Sequence, residues 1–331
     1  MNPTGTLILT RQDIVRVLPL ADCIAAVEVA FSRLSASSML LPGVVHIGMP
    51  EGGFHIKSAA YAGNPDFVAV KVNGNFPGNA AKNGLPTIQG ALLLADGRNG
   101  SLLAIMDSAE ITALRTAAAT AVAAKYLAPE GARTATIIGC GIQGKVQLRA
   151  LTEVLPLETV YACDAEPGRA RDFARELGKA TSCNIVPVEQ FATGTLQSQV
   201  IVTCTPSRNA FLRAEHVAPG TFVAAVGADH HDKLEIDPML MANAVVVVDV
   251  LEQASLIGDL HRALAVGAMK REDVFAELGS VVNGMKKRTD IGPRDIVVFD
   301  STGCAIQDVA AAGFAYERAS SQNIGLAVSL A

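Results

Sequence analysis

Ile137-Ile138-Gly139-Cys140-Gly141-Ile142-Gln143-Gly144 is the stretch on which the fold of this chain turns. Before it, from Thr134, stands a short β-branched apolar run of the kind a buried parallel strand gives. After it, 145–155 carries apolar residues at helical spacing. Between strand and helix the three glycines have separate tasks. Gly139 makes the tight turn, Gly141 lets backbone approach a pyrophosphate, and Gly144 lets the helix pack close, with the phosphates on the helix N-terminus. The flanking strand and helix raise the pattern above a chance glycine turn. The turn sits late, and a cofactor fold alone does not account for the N-terminal third ahead of it.

Beyond the turn, strand and helix alternate. Strands are expected at 159–163, 200–204, 221–226, 244–250 and 296–299, the order of an α/β fold with a Rossmann-type doubly wound parallel sheet. Ahead of the turn the pattern is mixed. A strand at 6–9 is followed by helical spacing at 12–17 and 20–34, then a loop around Pro42. Strands are expected at 53–60, 67–72, 87–94 and 102–106, with a long glycine- and asparagine-rich loop at 73–84. An alanine-rich helix over 111–127 leads into the turn. A last helix, 305–320, trails the sheet and is free to pack back on the N-terminal part.

The 331 residues are 50% hydrophobic and 5% aromatic, enough for one large or two medium cores. A net charge of -5 without basic runs argues against nucleic acid as a partner. The six cysteines show no paired ligand spacing and read as reduced, buried residues. With no basic n-region and no span-length apolar run, neither a membrane segment nor a targeting segment is expected, and the expected location is cytoplasmic.

Several side chains carry candidate chemistry. Asp164 ends the second strand of the dinucleotide half, 25 residues after Gly139, where an acidic residue accepts hydrogen bonds from an adenosine ribose. That favours NAD, while Arg169 leaves NADP open. The alternative is that Asp164 caps the helix after Pro167. Asp229, in Gly227-Ala228-Asp229-His230-His231-Asp232-Lys233, follows an apolar strand, where doubly wound sheets bind ligands. It is the candidate general acid and base, with Lys233 in reach of a cofactor or another loop. The competing reading is a solvated turn. The pair His230-His231 is not expected to bind metal, because adjacent histidines do not share a face. Lys57 and Lys71 stand inside otherwise apolar strands. Each must meet an anion or lie on an exposed edge, and with Arg115 they would make an anionic-substrate pocket.

Ile111-Thr112-Ala113-Leu114-Arg115-Thr116-Ala117-Ala118, the glycine turn, Gly227-Ala228-Asp229 with Lys233 and Glu235, and Phe299-Asp300-Ser301-Thr302-Gly303 with Gln307-Asp308 together resemble the ornithine cyclodeaminase and μ-crystallin family. The resemblance runs from about Leu9 to Arg318. It implies a homodimer in which 1–115 and 305–331 form an α+β dimerisation and substrate domain beside an NAD-binding Rossmann domain over 116–304. By that likeness Lys71 and Arg115 bind a substrate carboxylate or imine, and Asp229 is the acid/base. Val226 and Thr302 border the substrate. Thr87, Arg115, Gly139, Gly141, Ile142, Gln143, Gly144, Asp164, Thr205, Val223, Ala224, Ala225, Val226, Lys233 and Ser301 contact the cofactor.

Members that act on ornithine carry an arginine near the position of Val44, an acidic residue near His55 and a methionine at Lys57. The resemblance therefore points to members that reduce imines of small acids, such as iminosuccinate reductase. The expected activity is NAD(H)-dependent hydride transfer at the α-carbon of a small amino or imino acid. Redox-neutral cyclodeamination of ornithine or lysine, and μ-crystallin-like binding of NADPH and a small ligand, are the alternatives.

Overall fold

The computed structural model describes residues 5–35, 39–61 and 66–330. The chain divides into two compact units, 1–115 with 304–331 and 116–303.

The first unit begins with β1 (Thr6–Leu9), α1 (Arg11–Val17) and α2 (Leu20–Ser35), followed by β2 (Met39–Met49), β3 (Gly52–Tyr61) and β4 (Phe67–Asn75). Then come α3 (Asn79–Asn83), β5 (Ile88–Asp96) and β6 (Leu102–Asp107), and α4 (Ser108–Leu127) carries the chain across the boundary between the units. The second unit holds β7 (Thr134–Ile138), α5 (Ile142–Val154), β8 (Thr159–Cys163), α6 (Pro167–Ala180), β9 (Asn184–Pro187), α7 (Phe191–Thr195) and β10 (Val200–Thr203). It continues with β11 (Phe222–Ala225), α8 (Pro238–Ala242), β12 (Val245–Val248), α9 (Leu251–Ala254), α10 (Asp259–Ala265), β13 (Ala276–Glu277), α11 (Leu278–Val282) and β14 (Val297–Asp300). Finally α12 (Ala305–Gln322) and β15 (Leu326–Val328) return to the first unit.

The first unit's sheet runs β15-β1-β6-β5-β4-β3-β2 and is antiparallel except for the parallel pair β1 and β6. Burial alternates along β3 and β4, as a half-covered antiparallel sheet requires. The face bearing Lys57, Ala59, Ala69, Lys71, Leu92 and Leu94 is buried, and α12 packs on α2, β3 and β4. Gly313 of α12 faces the Phe67 ring, where an added Cβ would come within 2.7 Å of it. The opposite face leaves Val45 (57% exposed), Ile47 (47%) and Met49 (50%) uncovered.

Two sequence expectations fail in this sheet. The loop around Pro42 is part of β2, whose register shifts between Leu40 and Gly43. An edge strand with an irregularity is where a residue lacking a ladder donor is tolerated. The supposed loop over 73–84 is for its first part the end of β4, with Asn73, Gly74 and Asn75 paired to His55, Phe54 and Gly53. Its later part contains α3, closed by Gly84 in the left-handed conformation. Gly74 suits the strand because a side chain there would press on the edge-to-face pair Phe54 and Phe76.

The second unit's sheet is parallel throughout, in the order β13-β12-β14-β11-β10-β7-β8-β9. The chain moves outward from β7 to β9 and then restarts on the other side at β10, so the switch point lies between β7 and β10. The runs of β10, β11 and β14 are buried at every position, on both faces of the strand, and so read as largely apolar sequence. The short strands β9 and β13 are too brief to leave a period in the sequence.

Candidate functional site

In the first unit, Lys57 and Lys71 stand directly opposite one another on β3 and β4. Both strands are interior to the sheet, so the edge-strand reading of these lysines does not hold. Lys71 is 2% exposed, Arg115 on α4 is 4% exposed, and Asp308, in the first turn of α12, is 1% exposed. One oxygen, Asp308 Oδ1, accepts from Lys71 Nζ at 2.6 Å and from Arg115 Nε at 2.9 Å. Arg115 Nη1 donates to Gln307 Oε1 at 2.8 Å, so two of the five guanidinium donors are engaged by the start of α12. Lys71 Nζ also reaches Thr112 Oγ1, one turn before Arg115, at 3.2 Å. Asn73 donates to Thr112 and accepts from Ser108, which ties the first turn of α4 to β4. The Asp308 Oδ2 atom is buried without a hydrogen-bond partner.

The electrostatics follow from this packing. Burial lowers the Lys71 amine, and Arg115 and Lys57 lower it further, to about 7 despite the contact with Asp308. Burial would raise the Asp308 carboxyl, but Arg115 and Lys71 outweigh it and hold it below the usual carboxylate range. Asp308 and Gln307 have central places that the sequence reading did not assign. Two buried cations at Lys71 and Arg115 demand a buried carboxylate, and that demand is the signal that could have found Asp308.

In the second unit, Gly139 has φ of +104°, and an added Cβ would lie 2.7 Å from the Cys204 carbonyl. At Gly144 a Cβ would lie 2.0 Å from the Gly139 carbonyl, whereas Gly141 faces open space. Gly141 is the N-cap of α5 and offers no side-chain cap, while Ile142 in the first turn is 78% exposed. Gln143 Nε2 and Ser301 Oγ are buried without hydrogen-bond partners. Open glycine space, an uncapped helix start and two orphaned polar atoms fit a dinucleotide phosphate group.

Asp164 Oδ2 accepts from Cys140 N at 2.9 Å and Oδ1 from Glu166 N at 3.0 Å, so it bonds to the glycine turn. The N-cap of α6 is Glu166, so Asp164 does not take the alternative role of capping that helix. Arg169 pairs with Glu166 at 2.9 Å.

At the ends of β10 and β11 the carboxylate of Glu235 gathers four donors: Thr203 Oγ1 at 2.7 Å, Thr205 N and Oγ1 at 2.6 Å each, and Gly227 N at 2.8 Å. The Thr205 hydroxyl therefore faces Glu235. The Thr302 hydroxyl donates to Asp249 at 2.8 Å and accepts from Gln253. Val223 and Ala225 belong to the hydrophobic core with Ile138, Ile201 and Val298. Their side chains serve packing, as does that of fully buried Ala224, and Val226 follows at the strand end. Asp229 is half exposed and pairs with Lys233 at 2.6 Å, so the lysine expected to reach a cofactor or another loop turns to the aspartate four residues before it. Thr87 lies exposed ahead of β5, on the first unit. The rings of His230 and His231 lie 4.0 Å apart, and Asp232 Oδ1 is 3.2 Å from His231 Nε2. Adjacent histidines here do share a side of the turn, which corrects the sequence reading.

The model of the ornithine cyclodeaminase/mu-crystallin family matches residues 4–323. Alanine dehydrogenase of Archaeoglobus fulgidus is 36% identical over 321 residues, 97% of this chain and 97% of that protein. Among solved structures, an archaeal alanine dehydrogenase dimer with bound NAD matches with a TM-score of 0.93 at 35% identity. The match covers 99% of this chain and 100% of the other. Delta(1)-pyrroline-2-carboxylate reductase of Thermococcus litoralis, in complex with NADH and L-proline, matches with a TM-score of 0.92 at 32% identity, covering 98% and 100%.

Proposed function

Because this chain belongs to the ornithine cyclodeaminase/mu-crystallin family, we propose that it is an NAD(H)-dependent imine reductase or amino-acid dehydrogenase acting on a small L-amino or imino acid. The observation that carries this reading is the buried set Lys71, Arg115 and Asp308, in which one carboxylate fixes two cations. A single anion between two buried cations leaves a positive balance that a substrate carboxylate completes. Arg115 and Lys71, held by Asp308, orient that carboxylate. With an amine near 7, Lys71 gives or takes a proton at neutral pH. Asp229 acts as acid and base at the substrate nitrogen, with Lys233 setting its direction.

The glycine turn, Gln143, Asp164 and Ser301 hold the dinucleotide, which supplies or accepts the hydride when bound. The carboxylate of Asp164 suits a free ribose hydroxyl better than a phosphate. In this reading residues 1–115 with 305–331 form the substrate and dimerisation domain, and 116–304 the NAD domain. A second copy of the chain covers the apolar face that bears Val45, Ile47 and Met49. Among the described residues the cysteines form no disulfide, which suits a reducing cytoplasm.

The test is a panel. NADH is mixed with small keto acids plus ammonia or methylamine, and NAD with ornithine or lysine. Consumption of NADH matched one for one by amino-acid product is expected. Ammonia release from ornithine or lysine with no net change in NADH would replace this reading with cyclodeamination.

A further inference from the structure

The second unit buries four carboxylates at the ends of its central strands: Glu235, Asp249, Asp259 and Asp300, each with no measurable exposure. The bonds they accept come from backbone N–H groups and threonine hydroxyls. Asp300, at the end of β14, accepts from Leu260 N at 2.9 Å and from Asp259 N at 3.4 Å. Asp259, opening α10, accepts from Glu235 N and Ile236 N, both at 2.8 Å and both on Oδ1. Its other oxygen, Oδ2, is buried without a partner. Gly258 makes the approach of α10 to Asp300 fit. It has φ of +91°, and a Cβ there would stand 2.8 Å and 2.9 Å from the two Asp300 oxygens. Glu235, whose own backbone Asp259 holds, is the clamp on Thr203, Thr205 and Gly227.

We propose that Asp259 and Asp300 share one proton at neutral pH, and that the protonated pair is the positioning device that lets Glu235 hold the strand ends beside the glycine turn. Four neighbouring carboxylates stripped of water repel one another, and amide donors compensate the charge only in part. A proton on the pair removes one charge, as in other closely placed carboxyls that titrate as a unit. Among the described residues the surroundings offer no substitute for it. Glu235 and Asp249 face the pair with further negative charge. Helix α8 brings no charged side chain, and Glu252 of α9 pairs with Arg271. On α10 itself His261 is half-buried and Arg262 is exposed. Burial, with Glu235, raises the Asp259 carboxyl to about 7, and burial, with Asp259, raises Asp300 as well.

The assignment of the strand ends to the dinucleotide rests on the proposed function, whereas the proton itself does not. The experiment therefore reads two quantities on the full chain, wild type against D259N and D300N. Infrared spectra without nucleotide should show a protonated carboxyl stretch at neutral pH in wild type that is lost in D259N and in D300N. The NADH dissociation constant should rise about threefold or more in wild type between about pH 6 and 8, and stay level in the asparagine variants. A wild-type spectrum without that stretch, or asparagine variants that keep it, overturns the shared proton. A wild-type NADH slope that persists in the variants overturns the positioning role. If D259N does not fold, D300N carries both comparisons, and the wild-type spectrum decides the proton in either case.

Discussion

The two units bury charge in opposite ways. In the first, Lys71 and Arg115 are both paired with Asp308, a contact of formal charges. In the second, Glu235, Asp249, Asp259 and Asp300 are all of one sign and are held by N–H and O–H donors. The mixed cluster has a cation in excess and is suited to receive an anion. The acidic network is closed upon itself and is suited to hold backbone in place. In the function proposed above, buried charge serves binding in one unit and support in the other, and the sign balance distinguishes them.

The largest expected effect comes from breaking the mixed cluster. Asp308→Ala leaves Lys71 and Arg115 buried without their carboxylate. Folding stability should fall by about 3–5 kcal/mol and kcat/KM by about a thousandfold. Urea unfolding and steady-state kinetics check both, and a variant as stable as wild type would show that Asp308 does not hold the two cations in place.

Next is Arg115→Lys, which keeps the charge but loses the planar fork that bonds Asp308 and Gln307. The expected loss is about a hundredfold in kcat/KM, mostly in KM.

The pH dependence sharpens the contrast, because the two units should respond with opposite slopes. The Lys71 amine is lowered by burial to about 7, so its contribution to stability is present at high pH and lost as pH falls through about 7. The Asp259 carboxyl is raised by burial to about 7, so its contribution is present in acid and lost as pH rises through about 7. Unfolding midpoints across pH should show the first slope removed by Lys71→Met and the second by Asp259→Asn.

The smallest expected effect is on the cofactor side. Asp164→Ser should weaken NADH binding by about tenfold and narrow the preference over NADPH, read by titration of the two nucleotides.

The legibility of these features in the sequence follows the same contrast. Local pattern found the glycine turn, β7, β8 and the long helices, because a strand-turn-helix carries its signal within a few residues. It missed the pairing of Asn73, Gly74 and Asn75, because glycine and asparagine read as loop and only the neighbouring strand β3 makes them a strand. Lys57, Lys71 and Arg115 stood out as charges in apolar runs. Asp308 and Asp259 stood out less, since an acidic residue at a helix start has an ordinary reading as a cap, and their partners lie far away in sequence. The side chains of Val223 and Ala225, expected beside the cofactor, pack in the core because β11 is buried along its whole length.

The central claim, hydride transfer at the α-carbon, is tested most directly with NADH deuterated at the transferable position of nicotinamide C4 and a small imino acid as acceptor. The account predicts an amino acid carrying one deuterium at its α-carbon for each NADH consumed. Product without α-deuterium, or ornithine converted with ammonia release and no net loss of NADH, would contradict it.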